Sequence, residues 1–391
     1  MSFHTAGGHL IQTDVKKYHI NRSINLRDYL KKHGWDEAKC DDDSDFSLWD
    51  THKSKPINSK ISVWDKKYTN EIDNLYSFHL SLEDLNLTHL SPYTIIDWRN
   101  PLKRLNKDNF SQKDIWFMKY VAGVHGKGIN ILSSYEDYLN WLSNNNYSQD
   151  AFVLQKCIYD SHLLDEKKYI IRVYFLTIGS KCYLYHDCLY YTALFPLHND
   201  YKDTYIKDGN QIVSEKDSDK FIPKEQIRIN THVSHWKVDT ELEPYGIKDT
   251  RIKGKLSDLP EFKKIMKNIM KNGNQMCKLF KSVFSGYCSD GSCEPYHIWG
   301  ADYLVLPDLD VRCIEINAYP LLTHGIRGKQ EENRPFEVEF RNSGFDRDLM
   351  RRLGYDLENK KKSYNSWLML DDIKPKRKKR NKKRTKKRTK K

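Results

Sequence analysis

Residues 299–320, WGADYLVLPDLDVRCIEINAYP, carry three oxygen-bearing side chains at a spacing that could bind a cation. Two apolar runs flank the turn formers at 307–310, so the segment is predicted to be a β-hairpin. With the tip inside that turn, Asp302 lies directly opposite Glu315, and the Cβ atoms of opposed residues are about 4.5 to 5.5 Å apart. The two-residue period of a strand puts Asn317 on the same face.

Two carboxylates and an amide at this spacing suit Mg²⁺, which prefers oxygen ligands and usually keeps waters and a phosphate. The alternative is an edge hairpin with a solvated polar face, and we assign the turn residues Asp308 and Asp310 to it. Asp302 and Glu315 lie among Trp, Tyr, Leu, Val and Ile, where an isolated carboxylate is costly unless it is neutralised. This favours a metal site.

A second hairpin is predicted where the apolar segment 115–121 meets the apolar pattern at 129–131 across AGVHGKG. Glycines such as Gly126 and Gly128 free the backbone to approach a ligand closely, although a mobile hairpin loop has the same pattern. The loop is not a Walker A motif, because neither Ser nor Thr follows the lysine. Lys119 is an ammonium in the middle of an apolar strand, and a phosphate would be a suitable partner.

Polar residues also interrupt two further apolar strands. Gln155 and Lys156 end the run AFVLQKCI, and a Gln at a strand end offers the donor and acceptor that an adenine edge needs. Arg172 lies within YIIRVYFLTI, where an unpaired guanidinium would be costly. It is either a structural cation paired to a core acid or a cation facing Asp302 and Glu315 across a nucleotide.

The remaining pattern predicts the elements around these residues. Apolar residues at three- and four-residue steps predict a long helix at 260–283 with a buried Met-rich stripe. Shorter helices are predicted at 26–33, before a glycine, and at 345–353. The polar segment 199–223 is assigned to a long loop, and 228–236 to an ordered strand whose histidines are surface or packing residues.

The chain has 391 residues and a formal net charge of +13, but the charge is unevenly distributed. Residues 374–391 hold 14 Lys or Arg and no acid, which leaves 52 bases and 53 acids in the rest of the chain. The tail is therefore predicted to be disordered. Eight cysteines without a CxxC pair, and the lack of a signal-like or membrane-spanning apolar run, predict an intracellular, cytoplasmic protein, with the nucleus open through the basic tail.

The order of these residues resembles the ATP-grasp fold of the tubulin-tyrosine-ligase-like family. The resemblance covers about 34–320, and its most specific part is the D-x(12)-E-x-N pattern from Asp302 to Asn317. GWDEAKCDDDSDFSLWD resembles the family's amino-terminal Gly-Trp to Leu-x-Trp segment. The fold class it implies is α/β (α+β), with antiparallel sheets and helices sandwiching a nucleotide.

The resemblance also implies roles for individual residues. The nucleotide would be bound by Lys119, Gly126, Gly128, Gln155, Lys156 and Ile158. Lys168 and Arg172 would face the γ-phosphate and the acyl-phosphate as catalytic residues. Two magnesium ions would be held by Asn230, Asp302, Glu315 and Asn317.

The chain departs from the family pattern at three places. The family usually has Lys-x-Asp-x-Arg where this chain has Lys168-Tyr-Ile-Ile-Arg172, so Ile170 replaces an expected carboxylate. Tyr191 stands where the family has an Arg that meets the acceptor carboxylate. A His-Leu-Thr-Asn segment is represented only by Arg-Ile-Asn ending at Asn230. Acceptor recognition is the weakest part of the resemblance.

The activity implied is ATP-dependent ligation of an amino acid, such as glutamate, glycine or tyrosine, to tubulin or another acidic protein. Two alternatives stay open: ligation to a non-tubulin or small-molecule carboxylate, and a catalytically weak binding module whose basic tail binds polyanions. The tail could contact acidic protein tails, or nucleic acid without sequence specificity. The expected domains are a lead-in domain at 1–100, a catalytic core at 101–330, a helical extension at 331–373 and the tail at 374–391.

Overall fold

The structure of the protein is a computed structural model that describes part of the chain, including the elements that position the candidate site. The described residues are 3–6, 9–12, 16–20, 24–39, 46–48, 60–62, 72–111, 113–121, 128–197, 205–207, 211–213, 224–234, 251–284, 294–318, 320, 340, 344–355 and 366–370. Within these ranges, no helix is both long and apolar enough to cross a bilayer. The acidic loop at 40–45, the glycine loop at 122–127 and the basic tail lie outside the described residues.

Six α-helices are described. They are α1 (Ile24–Lys32), α2 (Leu75–Asp84), α3 (Tyr135–Asn144), α4 (Lys224–His232), α5 (Phe262–Phe284) and α6 (Asp346–Arg352). Asn74 caps α2 by accepting the N–H groups of Tyr76 and Ser77, and Ser134 and Asp137 form a capping box at α3. The helices predicted at 26–33, 260–283 and 345–353 are confirmed, and each observed end lies within two residues of the predicted one.

Nineteen strands are described. They are β1 (Phe3–Ala6), β2 (His9–Gln12), β3 (Lys17–Ile20), β4 (Asp36–Glu37), β5 (Phe46–Leu48), β6 (Lys60–Ser62), β7 (Thr94–Ile95), β8 (Trp116–Tyr120), β9 (Ile129–Leu132), β10 (Phe152–Lys156), β11 (Tyr169–Ile178), β12 (Lys181–Tyr185), β13 (Leu189–Thr192), β14 (Tyr205–Lys207), β15 (Gln211–Val213), β16 (Lys253–Lys255), β17 (Glu294–Val305), β18 (Val311–Asn317) and β19 (Trp367–Met369).

Two sheets dominate the described part of the chain. The smaller has four strands in the order β7-β10-β8-β9, all antiparallel. The larger has eleven strands. Eight of them follow the order β16-β13-β11-β17-β6-β5-β3-β4, while β12 pairs with β11, β18 pairs with β17 and β19 pairs with β12. Strands β11, β17 and β18 are antiparallel neighbours at its centre. The mixed α/β class with antiparallel sheets is therefore as predicted.

The hairpin formed by β17 and β18 places the acids as the sequence predicts, although by a different route. Val305 pairs with Val311, so the loop is longer than a two-residue tip and Leu309 has a positive φ of 69°. A β-bulge then shifts the register after Asp302 by one residue. The two departures cancel, and Asp302 pairs with Glu315.

The centre of α5 contains a glycine, and the packing beneath it explains why a residue without a side chain occupies this position. A Cβ on Gly273 would lie 2.8 Å from the Phe175 ring and 3.2 Å from Leu370 Cδ1. The stripe formed by Ile269, Met276 and neighbouring apolar residues is buried against β11, β17 and β18, as predicted. The glycine therefore costs helix propensity but admits a large ring into the core.

Two segments differ from their predicted structure. Residues 228–236 were assigned to a strand, but α4 covers Lys224–His232, because its apolar residues Ile227 and Ile229 are buried by tertiary packing rather than by a sheet. The predicted loop at 199–223 contains the β14–β15 hairpin. Strand β19 also joins the sheet through β12, and local sequence gave no sign of that pairing.

Replacing Ile269 by Ala is expected to lower the free energy of unfolding by about 2–5 kcal/mol, because a fully buried aliphatic side chain is replaced by a cavity. The measurement is urea unfolding followed by circular dichroism. Lys267→Ala, at an exposed position of the same helix, is the matched control and should change stability by no more than about 0.5 kcal/mol. Equal losses in the two variants would contradict the assigned buried face.

Candidate active site

An ion pair between neighbouring strands of the larger sheet forms one wall of the site. Arg172 of β11 is the cross-strand neighbour of Asp302 of β17. Its Nε donates to Asp302 Oδ1, and its Nη2 donates to Oδ2 over 2.8 Å. Burial opposes the charge on Arg172, but the carboxylate outweighs burial and raises the arginine pKa. Of the two interpretations of Arg172 from sequence, direct pairing to a core acid is the observed one.

Gly300 creates the space in which this guanidinium lies. It pairs with Asn317 across the hairpin, two pairs beyond Asp302 and Glu315. A Cβ at this position would be 3.2 Å from Arg172 Cδ and 2.6 Å from Pro320 Cβ. A larger residue at Gly300 would therefore clash mainly with Pro320 and would also crowd the aliphatic part of the Arg172 side chain.

Glu315 and Asn317 complete this wall. The Asn317 amide lies 3.4 Å from Glu315 Oε1, and both side chains are half-buried. Burial and the adjacent Asp302 carboxylate raise the pKa of Glu315, while Lys119 and Arg172 act in the opposite direction. Two carboxylates this close together repel, and a cation between them would relieve the repulsion.

The donor set fits a magnesium ion that is only partly coordinated by protein. Within the described ranges, no group of three or more Asp, Glu, His or Cys side chains is placed to hold a metal by itself. Asp302, Glu315 and Asn317 supply two carboxylates and one amide oxygen, and Mg²⁺ commonly takes its remaining ligands from water and phosphate. The fit therefore depends on a phosphate being present.

The smaller sheet supplies the facing wall. Lys119 of β8 is buried, and its Nζ donates to Gln155 Oε1 of β10 over 2.6 Å. Gln155 in turn donates to Thr94 Oγ1 over 3.0 Å. Burial lowers the pKa of Lys119, and Glu315 on the facing sheet is the largest opposing influence. The lysine and the acids thus lie within electrostatic reach of each other.

His79 of α2 lies behind this wall and was not predicted as a site residue. Its Nε2 is 3.5 Å from Gln155 Nε2. Burial, with a further contribution from Lys119, lowers its pKa to about 3. The imidazole is therefore neutral at physiological pH and adds no positive charge beside the ammonium.

An apolar surface continues from Gln155 along the smaller sheet. It comprises Ile115, Phe117, Cys157 and Tyr159, with Ile129, Ile131 and Leu197 packed against them. Lys168 Nζ donates to the carbonyl of Ile158 over 2.6 Å at its edge. An apolar surface bordered by an amide side chain suits an aromatic base.

Cys157 is more than a packing residue in this surface. Lys168 Nζ lies 3.4 Å from its Sγ, and His232 Nδ1 lies 3.7 Å from it. Burial raises the pKa of the thiol, but Lys168 and His232 together lower it below its usual value. His232 comes from α4, which the sequence did not place beside β10.

The other predicted residues are distributed as follows. Lys156 does not join Lys119, because strand alternation puts it on the opposite face, where it pairs with Asp114 over 2.7 Å. Asn230 is buried in the last turn of α4, and its carbonyl accepts the N–H groups of Leu194 and Phe195. The role of Asn230 as a magnesium ligand stays a prediction.

The glycine loop is described only at its end. Gly126 lies outside the described residues, whereas Gly128 has a positive φ of 77°. A Cβ on Gly128 would lie 2.7 Å from Tyr120 Cβ. Both observations require glycine where the hairpin closes.

Asp73 is a further acid beside the site that sequence reasoning missed. Its Oδ1 accepts the N–H of Ala318 over 2.8 Å, which holds the chain directly after Asn317. Burial raises its pKa, and Glu315 adds to the effect. Since 245 residues separate the two partners, local pattern could not have revealed this contact.

Ile170 and Tyr191, where this chain departs from the pattern expected of the family, lie at paired positions. Ile170 of β11 lies directly opposite Tyr191 of β13. Both are buried in one apolar cluster that includes Leu304 and Ile314. Replacing an acid and a base together by apolar residues avoids leaving one buried charge without its partner.

The two facing sheets, with a lysine on one and paired acids on the other, have the ATP-grasp arrangement predicted from the sequence. The family model described as "Tubulin-tyrosine ligase family" matches residues 76–328, more than half of the chain. The chain belongs to this family.

A curated relative is the probable tubulin polyglutamylase ttll-9 of Caenorhabditis elegans, which is 24% identical over 238 residues. The match covers 58% of this chain and 49% of that protein, so the chain spans about half the length of this relative.

Arg172→Met is expected to destabilise the protein by about 3–5 kcal/mol, because it leaves Asp302 buried without its cation. Adding Asp302→Asn should recover most of that loss, since the amide carries no charge and no longer repels Glu315. Chemical unfolding of the single and double variants measures both effects. Arg312→Met, which breaks the more exposed pair with Asp310, should cost less than about 1 kcal/mol.

Cys157 is expected to react with iodoacetamide faster at pH 7 than the buried Cys188 and Cys313, whose pKa values are raised by burial. Lys168→Met should slow labelling of Cys157 and move its pH profile upward, because it removes a nearby positive charge. Peptide mass spectrometry over a pH series measures both rates. Labelling of Cys157 that is no faster than that of Cys313, and unaffected by Lys168→Met, would contradict the lowered pKa.

Proposed function

We propose that this protein is an ATP-dependent ligase that joins an amino acid to a carboxylate of a protein acceptor through an acyl-phosphate. The observation that carries the proposal is the placement of Lys119 opposite Asp302 and Glu315, on two sheets that face each other. Membership of the tubulin-tyrosine ligase family supports ligase chemistry. The C. elegans relative, a probable tubulin polyglutamylase, favours tubulin or another acidic protein as acceptor and glutamate as the added amino acid, with glycine and tyrosine as the alternatives.

In this proposal the smaller sheet binds the nucleotide. The apolar surface around Phe117 and Cys157 receives the base, and Gln155 and the backbone at Ile158 recognise its polar edge. Lys119 is already held by Gln155, so its ammonium is positioned before a phosphate arrives. Loop closure by the glycine hairpin would exclude water, which competes with the amine for the acyl-phosphate.

The larger sheet then manages the charge of the transferred phosphoryl group. Asp302, Glu315 and Asn317 would hold magnesium, which would neutralise negative charge on the phosphates. Arg172 uses two of its five N–H donors on Asp302, which orients the guanidinium while leaving donors for a phosphoryl or acyl oxygen. Lys168 directly precedes β11, and its Nζ donates to the Ile158 carbonyl over 2.6 Å.

The reaction needs no protein nucleophile. The acceptor carboxylate attacks the γ-phosphorus of ATP, and ADP leaves as the acyl-phosphate forms. The amine of the incoming amino acid attacks the acyl carbon, the amide bond forms, and inorganic phosphate leaves with loss of one amine proton. The role of the side chains is positioning and electrostatic stabilisation.

One observation favours a second candidate, in which the same chemistry acts on a different carboxylate. Ile170 and Tyr191 present an apolar pair where the family pattern has an acid and an arginine. An acceptor that is recognised there by an apolar group, rather than by its carboxylate, would be a non-tubulin substrate. Screening acceptor peptides with and without apolar side chains for ADP release distinguishes the two candidates.

Glu315→Gln is expected to weaken Mg²⁺-dependent ATP binding by about tenfold or more, because one ligand charge is removed while the shape is kept. Isothermal titration calorimetry with and without Mg²⁺ measures the effect. Asp308→Asn, at the exposed tip of the same hairpin, is the control and should bind as wild type does.

Lys119→Met should weaken ATP binding whether or not Mg²⁺ is present, since it removes a phosphate partner rather than a metal ligand. Wild-type protein that is folded and binds no ATP would refute both ligase candidates. Equal binding by wild type and Glu315→Gln would refute the metal assignment alone.

A further inference from the structure

The exposed side of α5 is a continuous row of lysines, which the proposed reaction does not use. Every exposed residue from position 263 to position 281 of this helix is lysine. No acid occurs anywhere in the sequence of the helix. The six residues, called the lysine ridge below, are Lys263, Lys264, Lys267, Lys271, Lys278 and Lys281.

The lysine ridge is narrow and long, and the charges of its lysines are unfavourable for the stability of the helix. At 100° per residue the six positions fall within an arc of about 100°, and at 1.5 Å per residue they span about 27 Å. Lys263, Lys267 and Lys271 are spaced four residues apart, where like charges repel. Lys263 and Lys264 also lie in the first turn, where the helix dipole disfavours cations. A helix selected for stability alone would carry acids at some of these positions.

The lysine ridge lies on the far side of the sheet from the candidate active site. The buried side of α5 packs on the larger sheet, with Phe280 ring centroids 5.3 Å from Phe175 and 5.4 Å from Trp299. Arg172 and Asp302 project from the opposite face of the same strands, because side chains alternate along a strand. The lysines therefore cannot contact the reacting groups.

We propose that the lysine ridge is a docking site for an extended acidic segment of the protein acceptor, separate from the site of reaction. This inference rests on the proposed function, which supplies an acidic protein as partner. An extended chain rises about 3.3 Å per residue, so roughly eight residues match the 27 Å length of the ridge.

The composition of the ridge favours an acidic polypeptide over other polyanions. Its exposed positions hold no aromatic residue on which a base could stack and no apolar residue that could enter a membrane. Asp310 of the hairpin tip lies within electrostatic reach of Lys271, and its carboxylate also accepts from Arg312 over 2.9 Å. Docking here would raise the local concentration of the acceptor at the reaction site, and so lower KM without changing kcat.

The test compares two full-length variants with the same change in net charge. Lys267, Lys271 and Lys278 are replaced together by Gln, which keeps helix propensity and removes the ridge charge. In the control, Gln replaces Lys103, Lys107 and Lys113, which are exposed but lie among Asp97, Asp108 and Asp160. The probe is a fluorescent deca-glutamate peptide, and binding is followed by anisotropy over a salt series. Carbodiimide coupling of peptide carboxylates to lysines, mapped by mass spectrometry, then locates the bound peptide.

The ridge variant should bind the peptide about tenfold more weakly at low salt, whereas the control should stay within about twofold of wild type. Cross-links should occur at the lysine ridge as well as at the basic tail. Equal affinity of the two variants, with cross-links confined to the tail, would overturn the proposal. Tighter ridge-dependent binding of a DNA duplex or of anionic vesicles would overturn the choice of an acidic polypeptide.

Magnesium-dependent ATP binding by the ridge variant separates this inference from the proposed function. The ridge lies behind the sheet, so calorimetry should give the wild-type affinity for ATP. Ridge-dependent capture of the peptide by a wild-type protein that binds no ATP would leave the docking site standing while refuting the ligase. Loss of ATP binding in the ridge variant, with its melting temperature unchanged, would refute the separation of the two sites.

Discussion

The pairing of Arg172 with Asp302 is the interaction on which the candidate site depends. Both groups lie within the largest sheet, where either charge alone would be costly, and their cross-strand register makes a two-bond contact possible. The same carboxylate lies opposite Glu315, so the pair sets the charge that a metal ion would meet. Gly300 lies beside them, and a Cβ there would clash with Pro320 and crowd the Arg172 side chain. The charge at the candidate site thus depends on how Arg172 of β11 balances the carboxylates of Asp302 and Glu315 on the β17–β18 hairpin.

The loss of the family's charged residues at Ile170 and Tyr191 follows the same physical rule. These positions face each other across β11 and β13, so an acid and a base there could neutralise each other, and so can two apolar residues. One charged residue alone would not be stable in that cluster. Lys119, Asp302, Glu315 and Asn317 are present, whereas Ile170 and Tyr191 form an apolar pair beside them. That combination is compatible with unchanged phosphoryl chemistry and an altered acceptor.

The two faces of the larger sheet have different roles. One face carries Arg172, Asp302 and Glu315 toward the smaller sheet, and the other is covered by α5. Because α5 presents lysine outward and apolar residues inward, a single helix can stabilise the sheet and also attract an acidic partner. The basic tail adds positive charge, but the charge on α5 is fixed in position by the core beneath it. A row of charge held in place by the core can match the length of a bound segment.

The sequence by itself determined the long amphipathic helix and the main strands, because each depends on local periodicity and turn residues. It also predicted the opposition of Asp302 and Glu315, but that pairing depends on a longer loop and a β-bulge that only the structure shows. Strand alternation could also have shown that Lys156 and Gln155 point to opposite faces. Tertiary structure decided the rest. Only packing of distant segments brings His232 to Cys157, Asp73 to Ala318 and β19 to β12. Likewise, Arg172 could be assigned to Asp302 only once the order of strands in the sheet was known, since sequence fixes which face a residue occupies but not which strand lies beside it.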